Sequence, residues 1–421
     1  MPHLSTLLIQ VSVILVMARL VGWLFRKIHQ PHVVGEMFAG ILLGPSFLGW
    51  VSPMISTALF PPGSLGFLNS LSQIGLLFFM FLVGLELNPQ HLRGRGHAAV
   101  LTSHVSIILP FLLGTLAALY LYPRLSDDRV KFIHFALFLG TAMSITAFPV
   151  LARILTERKL LRSQVGAVAM ACAAVDDVTA WCLLAGVILL VRASDTITPL
   201  WVTLLGSAAY IVVMFVVTRR VLSRLDLVYQ RRGRITQDML ALILLLVLVS
   251  AWVTEHLGIH ALFGAFLIGV IMPKRQDFAR SLSEKLEDVT VVFLLPLFFA
   301  FTGLRTTIGL VRGAEMWFYF ALIIAVAITG KFGGATLSAR LTGMSWREAG
   351  AIGILMNTRG LMELVILNIG LEIGVISPAV FAMMVLMALV TTFMTTPLLE
   401  LIYPTMLRHH NASSSTMARA A

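Results

Sequence analysis

Apolar residues run in blocks separated by short breaks of charge, glycine and proline. Each block is about 20 residues long, the length at which a helix crosses the hydrocarbon layer of a bilayer. The blocks begin near residues 4, 31, 65, 97, 132, 163, 197, 236, 259, 286, 314, 347 and 377, which predicts thirteen spanning helices and an all-α polytopic membrane protein. The first block, Leu4 to about Phe25, has no basic stretch before it and no small-residue cleavage site after it. It reads as a retained helix, not a signal peptide.

Composition strengthens this picture: 58% of the 421 residues are hydrophobic and 12% are charged, which excludes a soluble globular chain and leaves no room for a separate soluble domain. Cys172 and Cys182, on one predicted helix, would lie about 15 Å apart, too far for a disulfide. Neither they nor the histidines have metal-ligand spacing. The tail from His409 to Ala421 is short and polar, and its Asn411-Ala412-Ser413 sequon reads as chance.

The formal charge of +11 would suggest a nucleic-acid partner in a soluble protein, but here the basic residues fall in alternate loops. One set of loops holds Arg26 and Lys27; Arg93 and Arg95; Arg153, Arg158, Lys159 and Arg162; Arg219 to Arg234; Lys274 to Lys285; Arg340 and Arg347; and Arg408 and Arg419. The opposite set holds only Arg124, Arg129, Lys131, Arg192, Arg305 and Arg312. That asymmetry predicts a cytoplasmic C-terminus and an external N-terminus in the cell's inner, or plasma, membrane, and no nucleic acid.

The two halves repeat. Ala39-Gly40-Ile41-Leu42-Leu43 is echoed by Ile268-Gly269-Val270-Ile271-Met272, and Phe79 to Leu85 by Phe298 to Leu304. Gly140 to Leu151 falls over Gly353 to Leu364, and Val175-Asp176-Asp177 over Val390-Thr391-Thr392. Spans two to six therefore recur as nine to thirteen. Five is odd, so the copies insert with opposite topology, an arrangement typical of secondary transporters that bind substrate near the midplane.

Charges within spans mark the candidate chemistry. Asp176 and Asp177 sit near mid-bilayer in the sixth span, where each carboxylate costs about 2.5 to 3.5 kcal/mol to insert. Neighbours on a helix point about 100° apart, so the two need different partners. Lys331, in Thr329-Gly330-Lys331-Phe332-Gly333-Gly334, is the lysine within a span and the candidate partner for one. Thr141 to Pro149 in the fifth span, with Ser144 and Thr146 before the proline, predicts a broken helix. Asn357-Thr358-Arg359-Gly360 predicts a second break at the matching repeat position, where Arg359 and Glu363 are one turn apart and placed to neutralise each other. Opposed half-helix ends offer free N–H groups and free carbonyls to a carboxylate and a small cation. Glu36 and Glu86, close to loops, are expected to face the interface; His104 and His260 are expected to be hydrogen-bonded core residues.

These residues resemble the cation/proton antiporter superfamily, in particular the antiporter-2 branch of bacterial sodium/proton and Kef-type exchangers and plant cation/H+ exchangers. The resemblance rests on Thr146 to Arg153, Ala173 to Asp177, Phe263 to Phe266, Leu295 to Phe299, Gly330-Lys331 and Met356 to Leu361, spread over the whole membrane region. It implies an Nha-type fold of inverted five-helix repeats with two interrupted crossing helices. It implies a scaffold and dimerisation part at 1–95 and 198–310, including a linker helix near 198–222, an ion-translocating core at 96–192 and 311–405, and a short cytoplasmic tail at 406–421. It also implies that Asp177 binds cation and proton in competition, that Asp176 pairs with Lys331, and that the core moves against a homodimeric scaffold. The Asp-Asp pair with a lysine is the pattern of electrogenic members. Kef-type systems instead carry Gln-Asp and a C-terminal regulatory domain, whereas this sequence ends shortly after its last span.

The expected activity is exchange of Na+, with K+ as the other candidate, for H+, with no cofactor and no enzymatic chemistry. Oxygens of Asp177, Ser144 or Thr146 and broken-helix carbonyls would coordinate the cation. A sodium-coupled organic-anion symporter on a similar fold is the nearest alternative; an intramembrane aspartyl protease needs its acids on separate helices, and Lys331 opposes conduction in a channel.

Overall fold

The computed structural model describes residues 4–28, 30–86, 97–127, 129–158, 160, 163–195, 200–258 and 260–404. Arg93, Arg95, Lys159, Arg162, Arg408, Arg419, the beginning of the linker helix near 198 and the 406–421 tail lie outside the described residues.

Among the described residues all regular structure is helical. In chain order the main helices are α1 (Leu4–Lys27), α2 (His32–Leu43), α3 (Leu65–Glu86), α4 (His97–Leu125), α5 (Phe132–Ser144), α6 (Phe148–Glu157), α7 (Gln164–Asp195), α8 (Leu200–Val213) and α9 (Arg219–Arg232). There follow α10 (Gln237–His256), α11 (Ala261–Ile271), α12 (Gln276–Glu287), α13 (Leu295–Arg305), α14 (Gly313–Ile328), α15 (Gly334–Leu341), α16 (Trp346–Met356), α17 (Leu361–Glu372) and α18 (Pro378–Ile402). Wider π-helical turns at Met214–Thr218, Asp288–Leu294 and Thr329–Gly333 join α8 to α9, α12 to α13 and α14 to α15.

Among the described residues eleven helices are long and apolar enough to cross a membrane, or up to twelve if the bent pair α16 and α17 is one span. The span predicted near 259 is α11, which at 11 residues is about 16 Å long and falls short of the bilayer core. The starts of several helices follow from local chemistry. Ser345 and Glu348 form a reciprocal cap on α16, and α18 opens with the Ser377 hydroxyl accepting from the Val380 amide and Pro378 in its first turn.

The chain divides into two compact units: Met1–Met17, Val51–His91 and Ala185–Phe301 form one, and Ala18–Trp50, Leu92–Leu184 and Thr302–Ala421 the other. In the first unit α3 crosses α11 through glycine. A Cβ on Gly84 would meet the Phe266 carbonyl oxygen at 2.2 Å, and one on Gly269 would meet that of Phe81 at 2.2 Å. Lys274 closes this crossing, its Nζ donating to the carbonyls of Gly84 (2.7 Å), Leu85 (2.8 Å) and Gly269 (2.9 Å), which end both helices.

In the second unit a Cβ on Gly303 would lie 2.0 Å from the carbonyl carbon of Gly40. Gly40 and Gly269 are repeat counterparts, as are Gly84 and Gly303, so exchanging the copies turns one glycine crossing into the other. Two expectations are corrected. Glu36 is buried rather than interfacial, because His32 Nδ1 lies 2.9 Å from its carboxylate one turn away. His104 is exposed rather than in the core. His260 is buried, its Nδ1 accepting from the Leu262 amide at 3.4 Å.

Candidate functional site

Both predicted breaks are present in the second unit. Helix α5 stops at Ser144, the chain runs extended through Ile145 and Ala147, and α6 begins with Pro149 in its first turn, where a missing N–H costs nothing. Helices α16 and α17 are separated by Asn357 to Gly360 and bent by 41°. The breaks touch. The Ala147 amide donates to the Thr358 carbonyl at 3.0 Å, and the Thr146 hydroxyl reaches the Met356 carbonyl at 2.8 Å. Each break thereby satisfies backbone groups that the other leaves without a helical partner.

Arg359 completes the crossing. Its guanidinium is fully buried and donates to the carbonyls of Ala142 (3.0 Å) and Met143 (2.8 Å), at the C-terminal end of α5, and to Glu363 Oε2 (2.8 Å). A positive charge thus sits at the negative end of one half-helix, and the Glu363 carboxylate sits in the first turn of another. Thr392 holds the Arg359 backbone, accepting from its amide at 3.0 Å and lying 2.6 Å from its carbonyl oxygen.

Asp176 and Asp177, on α7, have opposite surroundings. Asp176 is fully buried, with Lys331 Nζ 2.5 Å from Oδ2. The Thr146 hydroxyl lies 2.9 Å from the same oxygen, the Ser103 hydroxyl on α4 lies 3.3 Å from Oδ1, and the Ser106 hydroxyl lies 3.3 Å from both. Lys331 stands in the π-helical turn Thr329–Gly333, and Gly330 beside it lets the turn lie against Pro110, which a Cβ would approach to 2.7 Å. Asp177 is 1% exposed, and neither of its oxygens has a hydrogen-bond donor among the described residues. The Phe148 amide, at the start of α6, faces it.

Around the two breaks the buried charges among the described residues are therefore two neutral pairs, Asp176 with Lys331 and Arg359 with Glu363, plus the Asp177 carboxylate without a salt-bridge partner. A buried carboxylate in that state needs a proton or a cation.

Of the residues singled out in the sequence, Asp176, Lys331 and Thr146 meet directly, and Arg359 and Glu363 meet at the end of α5. Ser144 is buried and donates to the Thr141 carbonyl at 2.8 Å. Thr358 lies 3.4 Å from the Thr395 hydroxyl. Asn357 is buried with its Oδ1 unpartnered, on the wall of a cavity of about 180 Å³ between Phe332, Ile354 and Leu398. Sequence reasoning missed Ser103, Ser106 and Thr392. The first two carry a signal in their spacing, three apart and so on one helix face, and Thr392 is the repeat counterpart of Asp177.

Helices broken at crossing midpoints, repeat-related and flanking a lone buried carboxylate, define a secondary transporter. A family described as "Sodium/hydrogen exchanger, transmembrane" matches residues 14–401, and the chain belongs to this family of monovalent cation:proton antiporters. It is 47% identical over 402 residues to the Na(+)/H(+) antiporter NhaS4 of Synechocystis sp., covering 95% of this chain and 98% of that protein. It is 44% identical to Cation/H(+) antiporter 17 of Arabidopsis thaliana and 35% identical to K(+)/H(+) antiporter 1 of Saccharomyces cerevisiae, in each case over 95% of this chain. It spans only 48% and 47% of those two longer proteins. Among solved structures, the sodium proton antiporter MjNhaP1 of Methanocaldococcus jannaschii at pH 8 has the same fold, with a TM-score of 0.66 at 15% identity over 96% of this chain and 98% of that one.

Proposed function

We propose that the protein exchanges a monovalent cation, Na+ in preference to K+, for protons, with Asp177 as the group both ligands occupy in turn. The observation that carries this reading is the unpaired carboxylate: buried with no side-chain donor and no salt-bridge partner, it is neutral only when protonated or cation-bound. A site that must hold one ligand or the other couples the two fluxes. Relatives named as Na+/H+, K+/H+ and cation/H+ antiporters support exchange while leaving the cation open. An organic-anion symporter would need a free cationic group, and the Arg359 guanidinium is committed to Glu363 and the end of α5.

The buried Asp176–Lys331 pair supports an electrogenic cycle. In it, cation binding at Asp177 draws on Asp176, Lys331 is released, and its proton leaves with the one from Asp177. Alternating access then comes from elevator-type movement of a core, 96–192 and 311–405, against a scaffold that forms a homodimer, in a plasma membrane with the N-terminus outside and the C-terminus in the cytoplasm. Oxygens of Thr146, Ser144 and the carbonyls at the breaks complete the cation's shell.

The test is purified protein in liposomes with an acidic interior, recording internal pH as Na+ or K+ is added outside. Exchange predicts cation-driven alkalinisation that saturates and that, in Na+, slows down when valinomycin with K+ sets an inside-negative potential, because two protons leave for each cation that enters. No pH change with either cation, or acidification in step with uptake of an organic anion, would contradict the reading.

A further inference from the structure

Four donors surround the Asp176 carboxylate: Lys331 at 2.5 Å, Thr146 at 2.9 Å, and Ser103 and Ser106 at 3.3 Å. Two of them are shared. A hydroxyl carries a single hydrogen, and Ser106 Oγ lies 2.9 Å from the Ser103 carbonyl but 3.3 Å from both Asp176 oxygens. The shorter contact takes the hydrogen. Thr146 Oγ1 is likewise divided, 2.8 Å from the Met356 carbonyl and 2.9 Å from Asp176 Oδ2.

While Lys331 is in place, neither hydroxyl has to serve the carboxylate. Once Lys331 withdraws, both can turn their hydrogens onto it by rotation about the C–O bond, with no heavy atom displaced. All three hydroxyl residues are buried, so water does not supply this service from bulk.

We infer that Ser106 and Thr146, seconded by Ser103, are swing donors that take over Asp176 when Lys331 leaves it, holding it ionised so that the lysine can give up its proton. Ser103 and Ser106 are positioning residues for the lysine's proton and stand outside the cation's shell at Asp177; Thr146 serves both. The balance is simple: the Lys331 N–H bond breaks, its proton goes to water in the cycle, and Asp176 keeps its charge. Without the hydroxyls, the released proton would stay on Lys331 or pass to Asp176, and neither route exports it. The inference rests on the exchange reading above and deepens it.

The test compares wild type with Ser103→Ala/Ser106→Ala and Ser106→Thr in liposomes, reading both cation-driven proton flux and its dependence on membrane potential. Melting in detergent and elution as a single species check that each variant is folded. The expected result is that the double alanine variant still exchanges cation for proton but no longer responds to potential, while Ser106→Thr, which keeps the hydroxyl, responds as wild type does. Voltage dependence in the double alanine variant equal to wild type would overturn the inference while leaving exchange at Asp177 standing. Absence of flux in wild type would instead overturn the exchange reading, and the inference with it.

Discussion

The Arg359 guanidinium donates to the Met143 carbonyl at 2.8 Å, so a side chain from the second break closes the helix cut short by the first. The repeats hold one another open at their interruptions, and the charge that does so is itself neutralised by Glu363.

Removing that charge leaves Glu363 buried alone and two carbonyls without donors. Arg359→Ala should lower stability by about 3–5 kcal/mol, the range for breaking a buried ion pair on one side. Arg359→Ala with Glu363→Gln should recover part of the loss, because the stranded carboxylate is gone. Denaturation of both variants in detergent micelles measures the difference; equal stability of Arg359→Ala and wild type would show that the pair is not what holds the breaks.

The same logic gives Lys331 a signature in transport. Asp176→Asn removes the lysine's counter-charge and with it the cycle of release and recapture. The variant is expected to exchange cation for proton without sensing membrane potential, read as proteoliposome flux at two clamped potentials.

Glycine crossings predict a sharp positional contrast. A Cβ on Gly84 would meet a carbonyl oxygen at 2.2 Å, whereas one on Gly66 meets nothing within 4 Å. Gly84→Ala should cost about 1–3 kcal/mol through forced backbone displacement. Gly66→Ala, on the same helix, should be neutral or stabilising by about 0.5–1 kcal/mol. Melting temperatures of the two variants in one detergent decide it.

Lys274, in the connection between α11 and α12, is expected to make stability depend on pH. Burial pushes its amine down from an ordinary 10.5 to about 7, against the opposing pull of Glu86. Between those values the unfolded chain binds the extra proton, so stability rises with pH across the window; the contribution is complete above 10.5 and is lost as pH falls through about 7. Lys274→Met should flatten this slope in a series of melts.

How much of this was legible in the sequence depended on what each residue costs in lipid. Asp176, Asp177 and Lys331 stand out because a charge in an apolar run is expensive, and the two breaks because proline, glycine and clustered polar residues interrupt such runs. Ser103 and Ser106 did not stand out, since a hydroxyl can satisfy itself on a nearby helical carbonyl and is cheap anywhere along a span. The role of Arg359 was half legible. Glu363 one turn away announced the ion pair, but the α5 carbonyls it caps carry no side-chain signature. Glu36 was misread because nearness to a loop counted for more than His32 four residues before it. The short α11 was legible as an apolar run from about 259 that Pro273, Lys274 and Arg275 end, but it was counted as a full span although the run is too short to cross the bilayer core.

The most direct measurement is the number of protons released when cation binds to purified protein, by titration calorimetry near neutral pH in buffers of different ionisation enthalpy, for wild type and Asp177→Asn. Competition at Asp177 predicts that Na+ binding by wild type ejects protons and that the variant neither binds Na+ measurably nor ejects them, while remaining folded. Proton release by Asp177→Asn equal to that of wild type would contradict the account, because the lone buried carboxylate would then not be where cation and proton meet.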